Sequence, residues 1–199
     1  MTTTGRRFTT VTPADWIPGP PQGSWTYEAY AVIPYDGNRY EIANGVLIMT
    51  PAPTPEHQSI TIRFSHYLFI HIELAGLGRV FAGPIDVDLE SKNVFQPDFV
   101  VVLNEHLDRI QAKRIVGAPD LVVEVASHST ATIDRLIKYE KYAQAGILEY
   151  WIVRPERRTV EVFVLEDGKY HSRGIFSGQV TLPSRIAPDL PVYVEQFFL

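Results

Sequence analysis

The chain contains no cysteine. That absence excludes disulfide scaffolds, cysteine nucleophiles, cysteine-ligated zinc and iron–sulfur clusters, and it suits a reducing compartment. Long apolar runs are missing too. No stretch reaches the ~18 consecutive apolar residues of a membrane span, and nothing apolar follows Arg6 and Arg7 as a targeting segment would need. These absences predict a soluble, cytoplasmic protein without membrane contact. Basic charge is not in excess: 18 Lys and Arg stand against 23 Asp and Glu, a formal net charge of −5. This balance argues against a protein that coats nucleic acid over a broad basic surface. It does not argue against an enzyme that touches a few phosphates through a metal. Neither GxxxxGK[ST] nor GxGxxG occurs, so nucleotide folds built on those loops fail as well.

What is present is a globular composition. The 199 residues are 45% hydrophobic and 21% charged, and a chain of this length buries roughly 70% of its unfolded surface without needing a staple. Residues 1–25 read as a Pro-rich N-terminal arm, because Pro13, Pro18, Pro20 and Pro21 defeat both helix and sheet. Residues 26–199 read as a single mixed α/β domain, with no linker or internal repeat.

Within that domain Thr26 opens a short helix over Tyr27–Ile33, and Asn44-Gly45 joins two strands as a hairpin. Thr54-Pro55-Glu56 supplies a cap, a first-turn proline and a first-turn acid for a helix of about 20 residues. Its stripe is Ile60, Phe64, Leu68 and Ile72, while Ile62 and Phe69 fall opposite and call for cover by the arm or a partner. Strands are expected at Arg79–Ala82, Ile85–Leu89, Pro97–Leu103 and Leu121–Val125, the last two apolar on both faces and therefore central. A helix from Thr130 to Gln144 follows, then strands at Glu149–Val153, Thr159–Leu165 and Lys169–Ser172. The tail, 178–199, is expected to add a last short strand and an aromatic segment docked on the body.

Asp98 and Glu124 interrupt this pattern. Each is an acid at or inside an inner strand, where an unpaired carboxylate costs several kcal/mol. Two readings account for them: pairing with a buried cation or a solvated strand end, or joint coordination of a divalent ion. Hard oxygen donors without Cys or paired-His spacing favour Mg2+ or Mn2+ over zinc. Phosphate chemistry at such an ion calls for a positive group nearby. Lys138 is the candidate, stacked with Asp134 and Tyr142 at i, i+4, i+8 on one helix face. The alternative is an ordinary surface pair, and Lys141 is the rival lysine. If Lys138 serves the phosphate, Lys138→Ala is expected to leave folding and magnesium affinity nearly intact, at a propensity cost of about a few tenths of a kcal/mol, while removing most hydrolysis.

The order of motifs resembles the Uma-type restriction endonuclease family, a branch of the PD-(D/E)XK nuclease superfamily. The residues that carry the resemblance run from Thr26 to Tyr170: Tyr40-Glu41-Ile42 with Asn44-Gly45, Met49-Thr50-Pro51-Ala52-Pro53 and His57. They continue with Gln96-Pro97-Asp98, Pro119 to Val125, Ser129-Thr130, Asp134…Lys138…Tyr142-Ala143…Gly146 and Glu149 to Val153. The resemblance implies a restriction-endonuclease-like core, a mixed sheet flanked by helices, and Mg-dependent hydrolysis of DNA phosphodiesters. It aligns Glu41, Asp98 and Glu124 with the acidic, metal-binding positions. The superfamily lysine would fall at Ala126, and Lys138 matches its substitute. His57 near its helix start is either a surface histidine or an imidazole reaching the site, and with Asp134 and Tyr142 it is an auxiliary candidate. A scaffold that keeps the fold without catalysis is the competing function. A homodimer is expected, with the arm (Trp16, Trp25) or the tail (Tyr193, Phe197, Phe198) in its interface.

Overall fold

The computed structural model describes residues 11–89, 92–127, 133–188 and 190–198, the side chains of 133–135 excepted. Twelve strands form two six-stranded sheets among the described residues. The first sheet holds β1 (Thr12–Pro13), β2 (Arg39–Ala43), β3 (Val46–Thr50), β5 (Val87–Asp88), β6 (Val94–Phe95) and β8 (Ile115–Val116), in the order β1-β3-β2-β6-β5-β8. The second holds β4 (Gly78–Ala82), β7 (Phe99–Leu103), β9 (Leu121–Val125), β10 (Glu149–Arg154), β11 (Thr159–Glu166) and β12 (Lys169–Phe176), in the order β12-β11-β10-β9-β7-β4. All neighbours in the second sheet are antiparallel except β9 and β10, which run parallel with Glu124 opposite Ile152. The helix between them makes that crossover possible.

The hairpin turns as expected, with Asn44 and Gly45 both at positive φ (52° and 74°), the primed-turn geometry that matches strand twist. Gly45 has a second reason to lack a side chain: an added Cβ would stand 2.5 Å from the Gly23 carbonyl oxygen. Through this contact the proline-rich segment docks, Gly23 N and Trp25 N both donating to Gly45 O at 2.8 and 3.0 Å. Contrary to expectation, its prolines do not exclude it from a sheet, because Thr12–Pro13 forms an edge strand, where a proline is tolerated. Trp25 is buried, in a cluster with Tyr40, Ile42, Leu47 and Met49.

The helix α1 (Tyr27–Tyr30) is a single turn, and α2 (Pro55–Leu68) continues as a π-type turn through Glu73. Thr54 caps α2, its hydroxyl accepting from His57 N at 3.2 Å. The stripe Ile60, Phe64, Leu68 and Ile72 covers one face of the second sheet over Phe99, Val101, Leu121 and Val123. Ile62 and Phe69 remain exposed beside β4.

The other face takes the segment Ile133–Lys138, π-turned, and α3 (Tyr139–Ala145), which ends at left-handed Gly146. Tyr142 packs there against Phe95 and Tyr150. The expected helix start at Thr130 lies outside the described residues. No strand forms in the described part of the tail. Pro183, Pro188 and Pro191 withhold ladder donors there, and the segment instead ends in a 3-10 turn, Val194–Phe198, with Phe197 stacked on Phe64 at 3.9 Å. Trp25 and Phe197 are thus buried within this chain, while Trp16 and Tyr193 stay exposed. No described helix is long and apolar enough to cross a membrane.

Candidate active site

Glu41, Glu124 and Lys138 come together where the two sheets meet, and Asp98 stands next to them through its bond to Val125 N, the residue after Glu124. β2 presents Glu41 and β9 presents Glu124, both buried. Asp98 precedes β7, the antiparallel neighbour of β9, and so lies alongside Glu124. Its Oδ2 accepts from Val125 N at 2.8 Å and sits 3.0 Å from His57 Nε2. His57 is therefore drawn to the site by the start of α2. Thr61 backs it, the hydroxyl donating to His57 O at 2.8 Å and standing 3.4 Å from Nδ1.

The Lys138 ammonium lies between two carboxylates. Nζ is 3.0 Å from Glu41 Oε1 and 3.0 Å from Glu124 Oε1, and the residue is only 4% exposed. Tyr142 OH donates to the same Glu124 Oε1 at 2.7 Å. One helical turn separates Lys138 from Tyr142, so both reach one acceptor from the same face. Burial, with the neighbouring Glu124 charge, holds the Tyr142 phenol well above its ordinary pKa, so it acts as a donor. Gln96 N donates to Glu41 Oε1 at 2.7 Å and extends the chain of contacts beyond Glu41. Lys141 takes no part; its Nζ donates to Gln144 on the surface. The Asp134 side chain lies outside the described residues.

The expected mildness of replacing Lys138 is overturned by this placement. The residue is not on a wet helix face but holds two buried acids apart, and propensity is the smallest part of its contribution. Thr61 was not singled out by sequence, and Gln96 was named only within the Gln96-Pro97-Asp98 motif of the resemblance, with no role assigned. Gln96 did carry a signal, a polar residue closing the apolar pair Val94-Phe95 before Pro97-Asp98.

The donor set suits a hard divalent cation. Among the described residues, Asp98 Oδ1 and Glu41 Oε2 accept no hydrogen bond, since the contacts above use Oδ2 and Oε1. Carboxylate oxygens of this kind are what Mg2+ and Mn2+ prefer. Among the described residues, however, no three His, Asp or Glu side chains already gather closely enough to hold an ion. The positive charge within the cluster is the ammonium.

Comparison with known proteins agrees with this architecture. A family model described as "Uma2: Putative restriction endonuclease" matches residues 26–195. A solved structure described as a "putative nuclease belonging to DUF820 from Anabaena variabilis ATCC 29413" is similar over 87% of this chain and 97% of its own. Its TM-score is 0.71 at 18% identity, a likeness of fold. No curated protein matches.

Proposed function

We propose that this chain, which belongs to the Uma2 family of restriction-endonuclease-like proteins, hydrolyses DNA phosphodiesters with the help of a divalent cation. The observation that carries this reading is the Lys138 ammonium, held 3.0 Å from both Glu41 and Glu124 beside Asp98. A buried cation between acids, next to a further acid on the neighbouring strand, is the charge arrangement that phosphoryl chemistry uses.

In this proposal Asp98 and Glu124 hold Mg2+ or Mn2+, with Glu41 completing the set. The ion, when bound, polarises the phosphate and lowers the pKa of a water molecule. The remaining work falls to the chain's own groups. Lys138 Nζ offsets charge on the phosphate and carries a proton that it can give or hold. Tyr142 and Glu41 fix where that ammonium and the Glu124 carboxylate stand. His57 and Val125 N occupy Asp98 Oδ2 and leave Oδ1 for the ion. The proposed partner is DNA, and the proposed assembly is a homodimer with Trp16 or Tyr193, the aromatic anchors left exposed, at its interface.

One observation favours the scaffold alternative. Protein donors already engage one oxygen of each acid: Lys138 and Tyr142 on Glu124, Gln96 N and Lys138 on Glu41, His57 and Val125 N on Asp98. The two readings part in a calorimetric titration of Mg2+ or Mn2+, run with a cleavage panel of single-stranded, duplex and branched DNA. The nuclease reading expects saturable cation binding and cleavage in the wild type, both lost in Asp98→Ala. Equal heats without saturation in the two proteins, and no cleavage, would sink it and leave the scaffold.

A further inference from the structure

Arg39 begins β2 two residues before Glu41, so the two side chains emerge on the same face. Its guanidinium is partly exposed and is held by neutral oxygens alone: Nε donates to Gln96 Oε1 and Nη2 to the Gln96 carbonyl, both at 3.2 Å. Arg79, Arg114, Arg154, Arg173 and Arg185 each pair with a carboxylate. Arg39 pairs with none among the described residues, as is also true of Arg63, Arg109 and Arg158, which bond neutral oxygens; what sets Arg39 apart is its place beside Glu41 on the same strand face.

The surroundings explain how that state is kept. Gln96 is the spacer. Its Oε1 accepts from Arg39 while its Nε2 donates to Asp86 Oδ1 at 2.9 Å and to Tyr30 OH at 3.0 Å. Tyr30 OH in turn donates to Asp86 Oδ1 at 2.9 Å. Asp86 is thus occupied by two neutral donors, and the amide stands between it and the guanidinium. Glu41, on the same strand face as Arg39, is taken up by Gln96 N and Lys138. A guanidinium has five N–H donors, and the two bonds to Gln96 leave three. Fixed through Nε, the remaining fork has the planar geometry that grips a phosphate with two parallel bonds.

We infer that Arg39 is a phosphate-binding residue, and that its guanidinium takes a backbone phosphate of bound DNA flanking the phosphodiester at the acid–lysine centre. The inference rests on the nuclease reading and names the subsite beside its reaction centre. It also gives Gln96 a double part, its backbone N on the catalytic acid and its side chain holding the arginine. An overall acidic chain then meets its polyanion through a fixed point of contact rather than through a basic surface.

The test is fluorescence anisotropy of the full chain with a labelled DNA duplex, in EDTA and in calcium, across a salt series. Arg39→Ala and Arg39→Gln are compared with wild type after their melting temperatures are checked; the Gln variant keeps an amide donor for Gln96 if truncation disturbs the fold. Losing one phosphate contact weakens binding about tenfold at low salt and flattens the slope of log K against log salt by about 0.9. Arg39→Lys keeps the slope but only part of the affinity, because an ammonium lacks the fork. Wild-type affinity and slope in folded Arg39→Ala and Arg39→Gln would overturn the inference alone. A wild type that binds no DNA in either condition overturns it together with the nuclease reading.

Discussion

Replacing Lys138 with methionine removes the ammonium while keeping most of the side chain's length, and the geometry sets the size of the result. Both contacts are 3.0 Å, so Glu41 Oε1 and Glu124 Oε1 lie at most about 6 Å apart around the lysine. Two unscreened carboxylates at that separation repel by about 3 kcal/mol at an effective dielectric constant near 20. Breaking a buried ion pair from one side costs about 3–5 kcal/mol in comparable cases. At about 2–4 °C per kcal/mol for a chain of this length, the cation-free variant should melt about 6–20 °C below wild type. Divalent cations should then act unequally. In wild type they compete with the ammonium for the acids; in Lys138→Met the acids are unopposed, so Mg2+ or Mn2+ should bind more tightly and raise the melting temperature more. Thermal melting in EDTA and in millimolar Mn2+, with calorimetric titration of both proteins, reads both effects. Melting at the wild-type temperature, together with an unchanged cation affinity, would refute the reasoning. Adding Glu41→Gln to the variant should recover stability, because it removes one of the two facing charges.

Two further predictions concern groups away from the centre. Glu149 is fully buried and accepts from Ser184 Oγ at 2.8 Å, Trp151 Nε1 at 3.1 Å and the Arg185 backbone N–H, so Glu149→Ala should cost about 2–5 kcal/mol and open the segment after Gly178 to protease, whereas unchanged melting and digestion would show that the acid does not hold the tail. Burial first, and the Asp86 charge second, raise the Tyr30 phenol above its ordinary value, and burial likewise raises Tyr170. A phenol raised in the fold contributes stability that is complete below pH ~10 and fades as pH climbs beyond the unfolded value. Phenolate absorbance should therefore show these two tyrosines ionising only with unfolding, and stability falling above pH ~10; ionisation of all ten tyrosines near pH ~10 in a still-folded protein would contradict it.

Much of the fold was legible because local chemistry and tertiary demand agree. Thr54-Pro55-Glu56 starts α2 where a cap and a first-turn proline require, and Leu121–Val125 is a strand between its expected ends. What was hidden depends on partners far away in sequence. β1 and β6 are two residues each, too short for any periodicity, and they are strands because β3 and β2 offer them ladder partners. The division into two sheets follows from such pairings.

The site divides along the same line. Asp98 and Glu124 stand out against apolar runs, since a carboxylate there needs an explanation. Glu41 sits in Arg-Tyr-Glu-Ile-Ala, where a strand with one wet face would carry an acid without comment, and only the resemblance singled it out. Its meeting with Lys138 spans 97 residues and that of Arg39 with Gln96 spans 57, so no spacing rule reaches either contact. Helix periodicity places Lys138 and Tyr142 on one face, yet it is silent on whether that face meets water or two acids. Burial decides the matter, turning a substitution worth tenths of a kcal/mol on a wet helix into one worth several.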